Sequence, residues 1–410
     1  MAAKYGGISI MSGAKKIGFF GAGRGSYYIR GLAAIDNMEA VAVCDKNQQA
    51  LDNLKKDFGD SLKYYNDFDE FLENTDMDGL VLCNFFHEHV PYAIKALEKG
   101  IAVLSETTAG GTLKECVQLV ETVERTGVKY MLSENYPYMR GVQELRRLYA
   151  GGTFGRLLYA EGEYVHPVSD EDGWALSPGE RHWRRFMPAT YYLTHSLGPL
   201  MYATGQTPLN INARVIANPR QEDIEQGKTR QNDPAAIMLL ETDGGAIFRI
   251  TGCAAFAPHG NWYRLACEKG GMETVRFDEQ QVRYGYNYWC VPENNEASKI
   301  YQPSWPFNNE QADNTGHGGS DYWVLYYFGE YLNKDVKPYF DVYKATAMSA
   351  AGILGWRSCM EEGALYKIPD FSKKADRKIW EQDDLTPFPA EDMSKTLPSN
   401  VYDMKHNSYK

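Results

Sequence analysis

Long hydrophobic runs are missing from this sequence. No stretch approaches the ~18–20 uninterrupted apolar residues that a membrane span requires, so no membrane partner is expected. Basic charge is in deficit. Lys and Arg number 43 against 54 Asp and Glu, a net charge of −11, which argues against nucleic-acid binding because phosphate contacts need a basic surface. Cysteine is sparse: seven residues, an odd number spread from Cys44 to Cys359, do not make a disulfide framework. Reduced thiols fit a cytoplasmic protein, and the N-terminus lacks the basic-then-apolar pattern of a secretion signal. Internal repeats and low-complexity segments are absent as well.

Aromatic side chains, by contrast, are abundant: 29 Tyr, 17 Phe and 8 Trp. Tyr and Trp offer flat apolar faces with a polar edge. Sugars suit such surfaces, and so do large cores and subunit interfaces. With 410 residues, the chain has length for two or three domains at about 150 residues each. Apolar residues at 43% and charged residues at 24% exclude wholesale disorder.

The first third alternates short apolar strands with amphipathic helices. Strands are expected at 16–20, 39–44, 79–83, 101–104 and 129–132, with helices at 27–35, 47–58, 88–98 and 112–126 between them. That order predicts a doubly wound parallel sheet with helices on both faces. After residue 150 strands follow one another without helices, so an open, mainly antiparallel sheet is expected. Helices return at 321–334 and 341–362. The expected units are a dinucleotide-binding domain at 15–145, a substrate and oligomerisation domain at 146–365 and a surface tail at 366–410.

The first strand runs into G-A-G-R-G-S at 21–26. Gly21 permits a tight turn, and Gly23 lets backbone approach a pyrophosphate at the helix N-terminus. The third glycine falls one place early, at Gly25, with Ser26 in its usual position. Asp45 closes the next strand, where an acid accepts hydrogen bonds from ribose hydroxyls and disfavours a 2′-phosphate. NAD is therefore expected over NADP, although Arg24 and Lys46 lie nearby.

Further segments carry a resemblance. They are N-F-F-H-E-H at 84–89, S-E-T-T-A-G at 105–110, a histidine motif in the second half, and D-V-Y-K-A-T-A-M-S-A at 341–350. With the glycine turn they resemble the Gfo/Idh/MocA family of NAD(P)-dependent sugar enzymes. The resemblance implies an N-terminal Rossmann domain followed by an α/β domain with an open sheet that serves association into homo-oligomers. It implies that Arg24, Asn84, His89 and Glu106 lie at the cofactor. Family dehydrogenases carry Glu-Lys-Pro where this chain has Glu106-Thr107-Thr108, and an aspartate where it has Tyr191. The lysine that deprotonates a substrate hydroxyl is thus absent.

In its place, Tyr192-Leu-Thr-His195-Ser-Leu-Gly-Pro199 resembles the NAD-dependent glycosidases of glycoside hydrolase family 109. Glu134-Asn135, Tyr164 and His317-Gly-Gly-Ser-Asp321 resemble that branch too. The resemblance implies net hydrolysis through transient C3 oxidation, C1–C2 elimination, water addition and re-reduction. His195 would assist the C3 oxidation. Tyr164 or Tyr192 would act on the C2 proton or on water, which requires a lowered phenol pKa. Glu134 and His317 would bind sugar hydroxyls. The alternative is an NAD-dependent oxidoreductase acting on a sugar, a 3-keto glycoside or a cyclitol. A silent nucleotide-binding sensor is a third reading.

Three more features invite roles. Arg181 opens the basic run Arg181-His182-Trp183-Arg184-Arg185, which suits an anionic sugar group or a salt-bridged loop. His87 and His89 lack further ligands at diagnostic spacing, so no metal is expected. Tyr284, Tyr286, Tyr288 and Trp289 alternate as a strand would, and suit either a sugar or an oligomer interface.

Overall fold

The computed structural model describes residues 13–217 and 232–401. The first sheet contains β1 (Lys15–Phe20), β2 (Met38–Cys44), β3 (Lys63–Tyr65), β4 (Gly79–Leu82), β5 (Ala102–Ser105) and β6 (Tyr130–Leu132). Its order is β3-β2-β1-β4-β5-β6, with every pairing parallel. Helices α1 (Ala22–Gly31), α2 (Gln48–Phe58), α3 (Phe68–Asn74), α4 (His89–Glu98) and α5 (Leu113–Thr126) make the crossovers. Both faces are covered, so β4, β5 and β6 are buried along their whole length. Helix α1 starts at Ala22 rather than at Tyr27, because the glycine turn is itself the helix's first turn.

After α6 (Arg140–Ala150) comes a nine-stranded sheet: β7 (Leu157–Val165), β8 (Pro208–Ile216), β9 (Ala235–Thr242), β10 (Ile247–Ala254), β11 (Gly260–Cys267), β12 (Gly270–Val275), β13 (Asp278–Tyr286), β14 (Ser298–Tyr301) and β15 (Tyr366–Lys367). Its order is β14-β13-β12-β11-β7-β10-β9-β8-β15. Only the central β7–β10 pair is parallel. Alternating burial along β8 and β9 marks a sheet covered on one face. The cover is α8 (Thr194–Thr204), which lies against β7 and β10, and α10 (Val342–Met360), which lies against β8. Between β7 and α8 a long connection carries the short α7 (Asp170–Leu176).

Two segments tie the halves together. Helix α9 (Ser320–Lys334) belongs to the second half in sequence, yet packs on α1 and β1 of the first. Lys129 donates to the Tyr331 carbonyl at 2.7 Å on the same contact. The chain after 365 is also more than a surface wrap. Phe371 and Phe388 are buried, Arg377 grips Glu124 with bonds of 2.7 and 2.8 Å, and Trp356 donates to the Pro398 carbonyl at 2.8 Å. Residues 402–410 lie outside the described residues. All seven cysteines are free thiols.

Candidate active site

Strand order reverses between β1 and β4, and a parallel sheet opens a ligand crevice at the carboxyl ends of such a pair. Gly21 ends β1 there with φ of 105°, and a Cβ on it would lie 2.4 Å from the Cys83 carbonyl. Only glycine fits. Gly23 faces open space, with no heavy atom within 4 Å of where a Cβ would stand. Gly25 packs toward Phe19, so the packing role falls to it rather than to Ser26, whose hydroxyl donates to the Gly23 carbonyl at 2.8 Å. Asp45 accepts from the Ala22 and Asn47 N–H groups at 2.6 and 2.8 Å, fastening the end of β2 to the turn. From this turn a cleft of about 670 Å³ passes Asn84, Glu106 and Thr107 and reaches Tyr192 and His195. Its size and its glycine mouth fit a dinucleotide.

Arg24 and His89 differ from expectation. Arg24 lines the cleft, but its guanidinium is spent on ion pairs with Glu106 at 2.7 Å and Asp321 at 2.7 and 2.8 Å. Tyr28 and Asn135 complete the network through Glu106 and Asp321 respectively. Burial opposes the Asp321 charge, but the Arg24 and His317 hydrogen bonds outweigh it and hold the carboxyl well below the usual range. His89 is the first residue of α4, where its side chain turns into the protein and does not line the cleft. Its ring nitrogens contact the Thr108 and Asn84 carbonyls at 2.9 and 3.3 Å, so it fixes cleft loops from behind.

At the inner end, His195 sits in the first turn of α8. Its Nδ1 stands 2.7 Å from Glu134 Oε1, just past the end of β6. Gly198 makes the approach possible, because a Cβ there would lie 2.9 Å from Glu134 Cγ. Glu134 is fully buried behind the histidine, with Oε2 unpartnered among the described residues. It was expected to meet sugar hydroxyls. The packing instead places it where an acid orients an imidazole. A carboxylate accepting from Nδ1–H leaves Nε2 with the lone pair.

Three tyrosines enclose the ring. Tyr136 stacks on it at 4.0 Å between centroids, and Tyr164 and Tyr192 meet it edge-on at 4.9 Å each. Tyr136 was not expected. Its sequence signal is its place next to Glu134-Asn135, and its backbone N–H donates to Glu134 at 3.3 Å. Burial pushes the phenols of Tyr164 and Tyr192 up, opposite to what a tyrosine base needs. Both are neutral hydrogen-bonding groups near pH 7.

A second cavity of about 650 Å³ joins the first, sharing Leu176, Arg184, Tyr192, His195 and His317 with it. Tyr136, Tyr164 and His166 also line it. His317 is held by Asp321 at 3.0 Å. Arg181 is exposed and lines neither cavity. The short turn Trp183–Arg185 carries it outward and turns Arg184 in. Tyr288 and Trp289 lie beyond β13 and are exposed, away from these cavities. Among the described residues, no cluster of His, Cys, Asp or Glu is arranged to hold a metal, and no helix is long and apolar enough to cross a membrane.

A Rossmann crevice opening onto a second, imidazole-bearing cavity under an open sheet defines a two-domain NAD-dependent enzyme. Residues 15–134 match the oxidoreductase family with the NAD-binding Rossmann fold, 142–273 the Gfo/Idh/MocA C-terminal domain, and 280–378 the glycosyl hydrolase 109 C-terminal domain. The chain belongs to the Gfo/Idh/MocA family, on its glycoside hydrolase family 109-like side. It is 25% identical to a glycosyl hydrolase family 109 protein of Shewanella pealeana, over 88% of this chain and 86% of that one. It is also 25% identical to an α-N-acetylgalactosaminidase of Shewanella oneidensis, over 88% and 85%. Among solved structures it is similar to levoglucosan dehydrogenase in complex with NADH and levoglucosan. There the TM-score is 0.73 and the identity 16%, covering 87% of this chain and 100% of that one. The protein is an NAD-dependent sugar enzyme.

Proposed function

We propose that this enzyme cleaves a glycoside by net hydrolysis. The sugar is oxidised at C3, loses its C1 substituent together with the C2 proton, takes up water and is reduced again. NAD, when bound against the glycine turn and Asp45, supplies the hydride acceptor and donor for the first and last changes. His195 carries the proton steps, because an imidazole nitrogen can both take a proton and return it. Its Nε2 takes the C3 hydroxyl proton while Glu134, 2.7 Å from Nδ1, stabilises the cation that forms. Thr107 brings no ammonium for that duty. A C3 ketone acidifies C2, since the carbanion delocalises into the carbonyl. With Tyr164 and Tyr192 neutral, the imidazole is the base for that proton too, once the first has passed to solvent. The two phenols donate hydrogen bonds to sugar oxygens, and His317 binds a further hydroxyl. No pair of carboxylates flanking an oxocarbenium ion is needed.

The observation that carries this reading is the Glu134-held imidazole at the meeting of two cavities. Its test is an aryl glycoside panel in heavy water with the NAD-loaded enzyme. Aglycone release with one deuterium at C2 and no net NADH supports it. Stoichiometric NADH with the glycosidic bond intact means the alternative, an oxidoreductase on a sugar, 3-keto glycoside or cyclitol. A cytoplasmic homo-oligomer joined through the nine-stranded sheet belongs to the same reading. The association is supported by Leu158, Leu209, Leu239 and Ile247, exposed on four of the strands, and sedimentation reads the oligomeric state.

A further inference from the structure

The loop between β4 and α4, residues 83–88, has no regular structure, yet Cys83, Asn84, Phe85, Phe86 and Glu88 all line the dinucleotide cleft. Its backbone is tied by the Cys83 N–H to the Phe20 carbonyl at 2.7 Å and by the Glu88 N–H to the Phe85 carbonyl at 2.9 Å. Side-chain packing fixes the rest. His87 alone in this loop does not line the cleft. Its ring stacks on Phe388, at 4.5 Å between centroids and 17° between planes. Burial, with His89 and His182 adding to it, pushes this imidazole down to about 4, so a neutral ring meets the phenyl face at pH 7.

Phe388 is buried at 3% exposure. Phe86 lies 6.3 Å from it between centroids, and Tyr191 meets it edge-on at 5.6 Å. Tyr191 immediately precedes Tyr192, which lines the cleft from the segment before α8. One side chain therefore touches the supports of both cleft walls. The segment that carries it is pinned on several sides. The Asp383 carbonyl accepts from the Lys114 N–H at 2.9 Å at the start of α5, and the Asp383 carboxylate accepts from Arg357 of α10 at 2.6 Å. The Leu397 N–H donates to the Thr386 carbonyl at 3.0 Å and the Ser399 hydroxyl to the Pro387 carbonyl at 2.8 Å, which closes a loop around Phe388. The Val401 N–H donates to Asp233 at 2.8 Å, just before β9. All of this lies past residue 378, where the family matches end.

We infer that Phe388 is a positioning residue for the cofactor: the C-terminal segment wedges it between His87 and Tyr191, and so holds the loop at 84–88 in the shape that receives the dinucleotide. Removal of the wedge leaves a cavity behind His87 into which the loop relaxes. The apparent affinity then falls with the fraction of time the loop spends in its competent shape. The coupling is reciprocal, so NAD binding must also tighten the wedge.

The test titrates the full chain with NADH by fluorescence, below the melting transition of each variant. Phe388→Ala should weaken NADH binding by about 10-fold, the effect of a loop that is competent about a tenth of the time. Phe388→Leu refills most of the space and should recover part of the loss. Amide exchange gives a second reading that needs no variant, and it serves if Phe388→Ala does not fold. In the wild type, NADH should slow exchange in residues 384–398 as well as in 83–90. A lower melting temperature with unchanged NADH affinity in Phe388→Ala overturns the inference, and so does exchange in 384–398 that is indifferent to NADH. Either result leaves Phe388 as core packing alone.

Discussion

Glu134 Oε1 and His195 Nδ1 are 2.7 Å apart, on residues 61 positions distant in sequence, and the carboxylate has no exposure to solvent. A buried acid so placed holds one tautomer and stabilises the imidazolium. Glu134→Gln keeps the shape but sets an amide against Nδ1. The turnover number should fall by about 10²–10⁴-fold, with KM and NAD affinity nearly unchanged. Steady-state kinetics beside NAD calorimetry checks this. A matched fall in NAD binding would give Glu134 a structural role instead.

The tyrosines carry a prediction about pH. Burial pushes both phenols up, so neither ionises within the working range. Activity should not gain a limb that rises with phenol ionisation between about pH 8 and 10, where an ordinary tyrosine begins to titrate. Tyr192→Phe and Tyr164→Phe should each cost about 10–100-fold, the loss of a hydrogen bond to a reacting substrate. Deuterium uptake at C2 should persist in both. Abolished exchange in either variant would make that phenol the base.

Local chemistry explains which parts of the fold and site were legible. The turn at Gly21 and the acid at Asp45 belong to one strand–turn–helix–strand unit, so their residue types reveal them. His195, Tyr192 and Tyr164 stand in motifs long enough to resemble a branch. The ion pair of Arg24 was not legible because its partner Asp321 is 297 residues away, and a glycine-turn arginine beside a cleft looks free until that helix is folded back. Arg181 and Arg184 differ only in the direction that one short turn gives them. β3 has three residues and β15 two, too few for a period to register. The parallel β7–β10 pair joins segments 90 or so residues apart, beyond any local pattern.

Arg24 is the rivet between the halves. Its bonds to Glu106 and Asp321 join α1, the end of β5 and the start of α9. Arg24→Met leaves the nearly buried Asp321 without its main partner, and should destabilise the chain by about 3–5 kcal/mol. Adding Asp321→Asn should recover part of the loss, since no stranded charge remains. Urea unfolding of the wild type, Arg24→Met, Asp321→Asn and the double variant measures both terms. Additive losses would mean that the two residues do not act as a pair.

We propose that Asp45 governs the choice of dinucleotide. Its carboxylate, 2.6 Å from the Ala22 N–H, stands where a ribose 2′-phosphate would meet like charge. Asp45→Ser should weaken NAD binding by about 10-fold and narrow the preference over NADP, because the repulsion goes with the hydrogen bonds. Fluorescence titration with NADH and NADPH reads the ratio. An unchanged ratio would move the choice elsewhere in the cleft.

Glu115 sets a stability limit on the alkaline side. It closes the capping box of α5 by accepting from the Gly111 and Thr112 N–H groups at 2.9 and 3.1 Å. Burial, outweighing those bonds, pushes its carboxyl up to about 7. An acid whose pKa is raised on folding binds its proton more tightly in the folded chain. Stability from it is therefore full below the unfolded value near 4.5 and is lost as pH rises through about 7. The loss is at most about 3 kcal/mol. Glu115→Gln keeps an acceptor for both N–H groups and cannot titrate. Its melting temperature should match the wild type near pH 5 and exceed it at pH 8. Parallel melting curves across that window would show that α5 starts with a carboxylate as well hydrated as any on the surface.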